Sequence, residues 1–144
     1  MRLFTRTITI ARPPEAVFDF FVDFTQASRW RQSVRTMELV TPGPLRPGSI
    51  VRTTWDLAGG HVELDLRVAA CERPSLWWHT VDEVDFLTTV EYRFESIGGG
   101  TRVTMRCHIA PVGWYGWIAL PLMWLQSGRL YREQLPQLKR SLET

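Results

Sequence analysis

Apolar and polar residues alternate with a period of two through most of this chain, and the alternation fails only at a few Pro- and Gly-rich breaks. Thr5, Thr7 and Thr9 interleave with Phe4, Ile8 and Ile10, which predicts a half-buried strand over residues 3–11. Pro13 and Pro14 stop it. Pro14 suits the first turn of a helix, where its missing N–H costs nothing, and Glu15 suits the positive helix terminus. Val17, Phe18, Phe20, Phe21 and Phe24 then give a short helix one wide apolar face, with Asp19 and Asp23 on the other. A second short helix is expected over residues 25–31.

Strand follows strand from there. Residues 34–40 and 49–57 flank a Pro/Gly turn, and Gly59-Gly60 leads into residues 61–72. In that last run Val62, Leu64, Leu66, Val68 and Ala70 alternate with His61, Glu63, Asp65 and Arg67. Arg73-Pro74-Ser75 breaks the pattern before residues 76–81. Val90, Tyr92 and Phe94 alternate with Glu91, Arg93 and Glu95. Beyond the hairpin at Gly98-Gly99-Gly100, Val103, Met105, Cys107 and Ile109 alternate with Arg102, Thr104, Arg106 and His108. One apolar and one polar face per strand is the mark of an antiparallel sheet wetted on one side only.

The cover for the dry side comes from the C-terminus. Trp124, Gly128, Tyr131, Leu135, Leu138 and Leu142 recur at steps of four and three, the stripe of an amphipathic helix, which Pro136 should kink or restart. The expected order is strand, two short helices, six strands and a long helix: an α+β, helix-grip fold in which a curved antiparallel sheet of about seven strands wraps a long C-terminal helix. Residues 1–144 read as a single domain. Such a sheet leaves a cavity wherever side chains fail to fill the gap to the helix. The predicted lining is Trp55, Tyr92, Phe94, Val103, Met105, Trp124, Gly128 and Tyr131.

Composition narrows the function classes. A hydrophobic fraction of 44% and a charged fraction of 22% are those of an ordinary soluble globular protein. The net charge is +2 and the basic residues are scattered, which argues against a nucleic-acid surface. Cys71 and Cys107 have neither metal-type spacing nor a pairing pattern, fitting a reducing compartment, and the N-terminus lacks a signal-peptide apolar run; the expected location is cytoplasmic. No nucleophile elbow, phosphate loop or dinucleotide fingerprint is present, and neither a cofactor nor a metal is expected.

Candidate chemistry is sparse. His61, Glu63 and Asp65 share one strand face, but it is the polar one, and a solvated edge accounts for them better than a metal site. His108 also falls on a polar face. The run Trp77-Trp78-His79-Thr80-Val81 does not say which set points inward, so His79 is either a buried, hydrogen-bonded histidine or a proton-transfer group. Arg52 and Asp56 read as surface charges, unless sheet twist turns them inward as a ligand-orienting pair. The 15 residues from Pro111 to Leu125 carry no charge and include Trp114, Trp117 and Trp124. A small domain cannot hide every side of such a segment. Part of it should form a pocket mouth, a transient membrane contact or a homodimer contact, and its glycines and prolines suggest a bent gate.

The order of these features is itself informative. A threonine-spaced strand runs into Ala11-Arg12-Pro13-Pro14-Glu15-Ala16-Val17-Phe18, followed by Arg29-Trp30-Arg31, Thr41-Pro42-Gly43-Pro44 and Pro47-Gly48-Ser49. This sequence resembles the opening of the START-like, SRPBCC or polyketide cyclase/dehydrase superfamily. The resemblance implies the helix-grip fold reached above by counting elements, with an apolar cavity. It implies binding of a small hydrophobic ligand such as a lipid, polyketide or isoprenoid, as carrier or sensor. The alternatives are a cyclase or aromatase enzyme using the same pocket, with His79, Asp56, Arg52 or Tyr92 as proton-transfer candidates, and a protein-interaction module.

Overall fold

A computed structural model describes residues 2–31, 34–57, 60–83, 86–132 and 134–143; within these, the side chains at 2, 3, 57, 123 and 126–132 lie outside the description. Seven strands form one antiparallel sheet in the order β1-β7-β6-β5-β4-β3-β2. They are β1 (Arg2–Ile10), β2 (Val34–Leu39), β3 (Ile50–Leu57), β4 (Gly60–Glu72), β5 (Leu76–Asp82), β6 (Phe86–Ile97) and β7 (Gly100–Pro111). From β2 through β7 each strand pairs with its successor, and β1 closes the row against β7. The alternation read from the sequence therefore becomes a meander with one face turned to the core.

Two bulges bend this sheet. In β2 the register shifts between Val34 and Thr36, and in β4 between Val68 and Ala70. The second changes which residues face inward. Val68 pairs with inward His79, but Ala70 pairs with outward Trp78 and Cys71 with inward Trp77. Ala70, expected on the apolar face, is thus displaced from it by the extra residue, and Cys71 takes its place.

Helix α1 (Pro14–Phe21) opens on Pro14, as expected, and buries Val17, Phe18 and Phe21. Asp23 accepts from the Thr25 backbone N–H at 3.2 Å and from its hydroxyl at 2.6 Å, starting a 3-10 turn at Phe24–Gln26 that runs into α2 (Ala27–Trp30). The Phe18 ring meets Phe94 at 5.4 Å between centroids, so α1 plugs the sheet where β6 and β7 cross it.

The C-terminal helical residues are α3 (Gly113–Arg132) and α4 (Gln134–Glu143), on either side of residue 133, which lies outside the described residues. The kink or restart expected at Pro136 depends on that junction and lies, with it, outside the described residues. The bent gate expected for residues 111–125 is instead one helix that continues through Pro121. Pro121 removes the bond to the Trp117 carbonyl, but both residues sit on the solvent side, where water can serve the freed group. Leu135 and Leu138 are buried and Leu142 packs against the core, as the stripe predicted. The end of α4 is tied to β1: Lys139 Nζ donates to the Thr9 carbonyl at 2.7 Å, and the Ala11 N–H donates to Glu143 at 2.8 Å. Gly100 lets the β6–β7 hairpin close on this corner, since a Cβ there would stand 2.7 Å from the Ile10 carbonyl oxygen.

Candidate functional site

The polar residues proposed from the sequence separate cleanly by face. On the outer face, Arg52 Nε lies 3.0 Å from Asp65 and 3.4 Å from Glu63, Arg35 pairs with Asp56 at 3.1 Å, and His61 Nδ1 is 2.6 Å from Asp56. Arg52 and Asp56 therefore do not turn inward as a ligand-orienting pair. The strand keeps its phase, and Thr53 and Trp55 occupy the inner positions between them. His61, Glu63 and Asp65 are engaged in these exposed pairs. His108 also faces outward, half-buried. Among the described residues no group of three His, Cys, Asp or Glu side chains comes together as a metal site.

The inner face is different. His79 is buried, which settles the phase of β5: Trp77, His79 and Val81 point in, while Trp78 points out. Trp77 Nε1–H donates to His79 Nδ1 at 2.8 Å. Burial, helped by the positive charge of Arg31, pulls the imidazole pKa down to about 3. The ring is therefore neutral at physiological pH. With Nδ1 accepting from Trp77, its proton sits on Nε2, which makes His79 a hydrogen-bond donor to the interior.

Arg31, at the end of α2, is buried and lies over two rings, 4.2 Å from the Trp30 centroid and 4.7 Å from that of Phe21. Phe21 is the hub here. Its ring also meets Tyr92 at 4.6 Å, Phe94 at 5.3 Å and Trp77 at 5.7 Å. The Tyr92 hydroxyl donates to Gln134 Oε1 at 2.9 Å, and burial pushes its pKa up to about 12 against the opposing pull of the Arg31 charge. Gln134, at the start of α4, is fully buried. Trp30 Nε1, Gln134 Nε2 and Thr88 Oγ1 are buried without a hydrogen-bond partner among the described residues.

The result is a corner rich in donors within an apolar interior. Arg31, the His79 Nε2–H, the Trp30 indole N–H and the Gln134 amide N–H all belong to it or border it, and no carboxylate lies among the buried side chains of the described residues. Such a corner is chemically matched to an oxygen acceptor, such as a carbonyl, carboxylate or enolate.

Of the sequence-predicted lining, Trp55, Tyr92, Phe94, Val103 and Met105 are all buried on the inner face of the sheet. Trp55 donates to Thr53 Oγ1 at 2.9 Å, and Phe94 packs under α1. Trp124 is half-buried, edge-on to Phe4 at 4.9 Å. Gly128 and Tyr131 lie in α3 at positions outside the described side chains. Sequence reasoning passed over Arg31, Gln134, Thr88 and Trp30. A pocket of about 280 Å³ lies at the corner where α4 meets the β6–β7 hairpin, lined by Thr9, Gly98, Lys139 and Glu143 among others. Lys139 and Glu143 are already bonded to one another and to β1 there.

Comparison with known proteins bears on the same architecture. The chain is similar to an aromatase/cyclase from Streptomyces sp. R1128, with a TM-score of 0.82, 16% identity, and coverage of 99% of this chain and 93% of that one. It is similar to a START superfamily protein from Mycobacterium smegmatis, with a TM-score of 0.76, 12% identity, and coverage of 98% and 97%. A protein from Thermus thermophilus aligns with a TM-score of 0.78 and 18% identity, covering 98% of this chain and 97% of that one. At these identities the likeness shows the helix-grip fold. No curated protein matches the sequence. The sequence model of the family described as polyketide cyclase/dehydrase and lipid transport matches residues 1–143, and on that match the chain belongs to this family.

Proposed function

We propose that the protein binds a small, largely apolar ligand carrying a carbonyl or carboxylate oxygen, held between the inner face of the sheet and the C-terminal helices. One observation carries this reading: the donor-rich corner of Arg31, His79, Trp30 and Gln134 inside an otherwise apolar core. Apolar burial supplies most of the affinity, at roughly 25 cal/mol per Å². The donors fix orientation and reject ligands that lack the oxygen, because a buried donor left without an acceptor is costly. Trp55, Val103, Met105 and Trp124 would furnish the walls, with Gly128 and Tyr131 on the facing helix. The free thiols of Cys71 and Cys107 support a cytoplasmic setting. Among the described helices, none is long and apolar enough to cross a membrane.

A titration with matched pairs, an aliphatic or aromatic ketone or carboxylate against its parent hydrocarbon, tests the reading through quenching of tryptophan fluorescence. The oxygenated partner should bind about tenfold tighter or more, and Arg31→Leu should abolish the preference. Equal binding of the two partners would sink the reading.

A cyclase-type activity is the second reading, favoured by the fixed tautomer of His79. A neutral Nε2–H beside a guanidinium can polarise the ketone attacked during ring closure and stabilise the alkoxide left on its oxygen, while the proton lost from the attacking α-carbon passes to water. Neither His79 nor Tyr92 offers a free basic atom at neutral pH, since His79 Nδ1 is occupied and Tyr92 is held protonated. Catalysis would then rest on folding the chain and stabilising the oxyanion. Turnover of a poly-β-keto thioester mimic, lost in His79→Phe, separates this reading from binding alone.

A further inference from the structure

The outward side of α3 carries six of the large hydrophobic side chains exposed on the surface among the described residues. Trp114 is 75% exposed, Leu122 70% and Ile118 68%, with Trp117, Leu125 and Tyr115 also more than half exposed. The opposite side of the same helix is used by the protein itself, where Gly116 and Leu120 are buried and Trp124 rests on Phe4. At roughly 150–250 Å² for a fully covered aromatic side chain, the exposed fractions of these six residues come to about 800 Å². That is about what each partner gives to a standard interface, and more than a lone small domain ordinarily leaves open.

We propose that this face is covered by the same face of a second copy, in an antiparallel α3–α3 pair. Trp114, Ile118, Pro121 and Leu125 follow one another at steps of four, three and four, the spacing of a helix–helix seam. Trp117 and Leu122 flank it. A two-fold axis midway between Ala119 and Leu120 sets Trp114 opposite Leu125, Trp117 opposite Leu122 and Ile118 opposite Pro121 of the other copy. Every aromatic in the seam then meets an aliphatic side chain, so large groups interlock with smaller ones in place of colliding. A two-fold also brings charges near the axis against their own copies, and residues 111–125 carry none. A lipid surface fits less well. Interfacial helices carry lysine or arginine along a polar flank, and the basic residues of α3, Arg129 and Arg132, follow the apolar stretch rather than run beside it.

Sedimentation velocity over rising protein concentration tests the pairing. The wild type should sediment at twice the monomer mass, and Ile118→Glu should weaken association by at least ~tenfold while leaving the circular dichroism spectrum unchanged. The register has its own readout in a Cys71→Ala background. Mild oxidation should link Trp114→Cys/Leu125→Cys into a covalent dimer but not Trp114→Cys alone, because its symmetry mate lies about 16 Å away along the axis at 1.5 Å per residue. A species that stays monomeric at every concentration overturns the proposal, whether or not it co-sediments with neutral phosphatidylcholine vesicles. Efficient cross-linking of the single variant overturns the antiparallel register.

Discussion

Two polar constellations lie on opposite faces of one sheet, and they behave as different materials. Outside, Arg35, Asp56, His61, Arg52, Asp65 and Glu63 make a row of close polar pairs across β2, β3 and β4, all open to solvent. Water screens such pairs, and they hold little energy. Inside, a handful of polar groups, Arg31, His79, Tyr92 and Gln134, sit among aromatic rings, and burial there moves the pKa of His79 to about 3 and that of Tyr92 to about 12. Density of charged residues thus points to the wrong face. The informative polar groups are those retained where desolvation is most costly.

Phe21→Ala removes the ring that joins Trp30, Trp77, Tyr92 and Phe94 and that carries Arg31, so it should cost about 3–5 kcal/mol in chemical denaturation and erase the ligand preference. A loss under about 1 kcal/mol would mean that the inner cluster is not a packed unit. Tyr92→Phe leaves the buried Gln134 Oε1 without its donor and should cost about 1–3 kcal/mol, with the fold retained.

His79 sharpens the contrast through pH. Its folded pKa is depressed below the unfolded value of 6.5, so the unfolded chain binds the proton first as pH falls. The stability present above pH 6.5 should therefore decline below it, by about 1.4 kcal/mol per pH unit, toward the folded pKa of about 3. Urea titrations between pH 6.5 and 5 avoid most carboxylate titration, and His79→Gln should flatten the slope in that window. An unchanged slope in the variant would mean that His79 is not buried as described. Arg52→Ala, on the outer face, should leave the melting temperature unchanged within error, the smallest effect of the set.

Most of the fold was legible because period-two alternation is a strong signal and the breaks fall at Pro and Gly. The exceptions have local causes. The phase of β4 after Val68 is set by a bulge, which no alternation count contains, so Ala70 and Cys71 exchange faces. The inner polar residues were partly readable. Val81 shares its phase with His79 and Trp77, and an apolar Val81 was a reason to turn all three inward. Thr88 falls in step with Val90, Tyr92 and Phe94. Gln134 lies three residues after Tyr131 and four before Leu138, a polar side chain set into the apolar stripe of the last helix. Arg31 had no such signal, because it follows a four-residue helix and no periodicity fixes where it points. The Pro111–Leu125 segment announced an apolar surface correctly, and its continuity through Pro121 was hidden because proline is ordinarily a helix breaker.

The proposed ligand is an oxygen-bearing hydrophobic molecule, held in the apolar interior at its donor-rich corner. Native mass spectrometry of freshly purified protein, followed by organic extraction of what is released, tests this most directly. A discrete adduct that proves to be an apolar molecule with a carbonyl or carboxyl group, and that is absent from Arg31→Leu, is the predicted result. A mass that stays at the bare chain through a panel of fatty acids, aromatic ketones and isoprenoid acids would contradict the account.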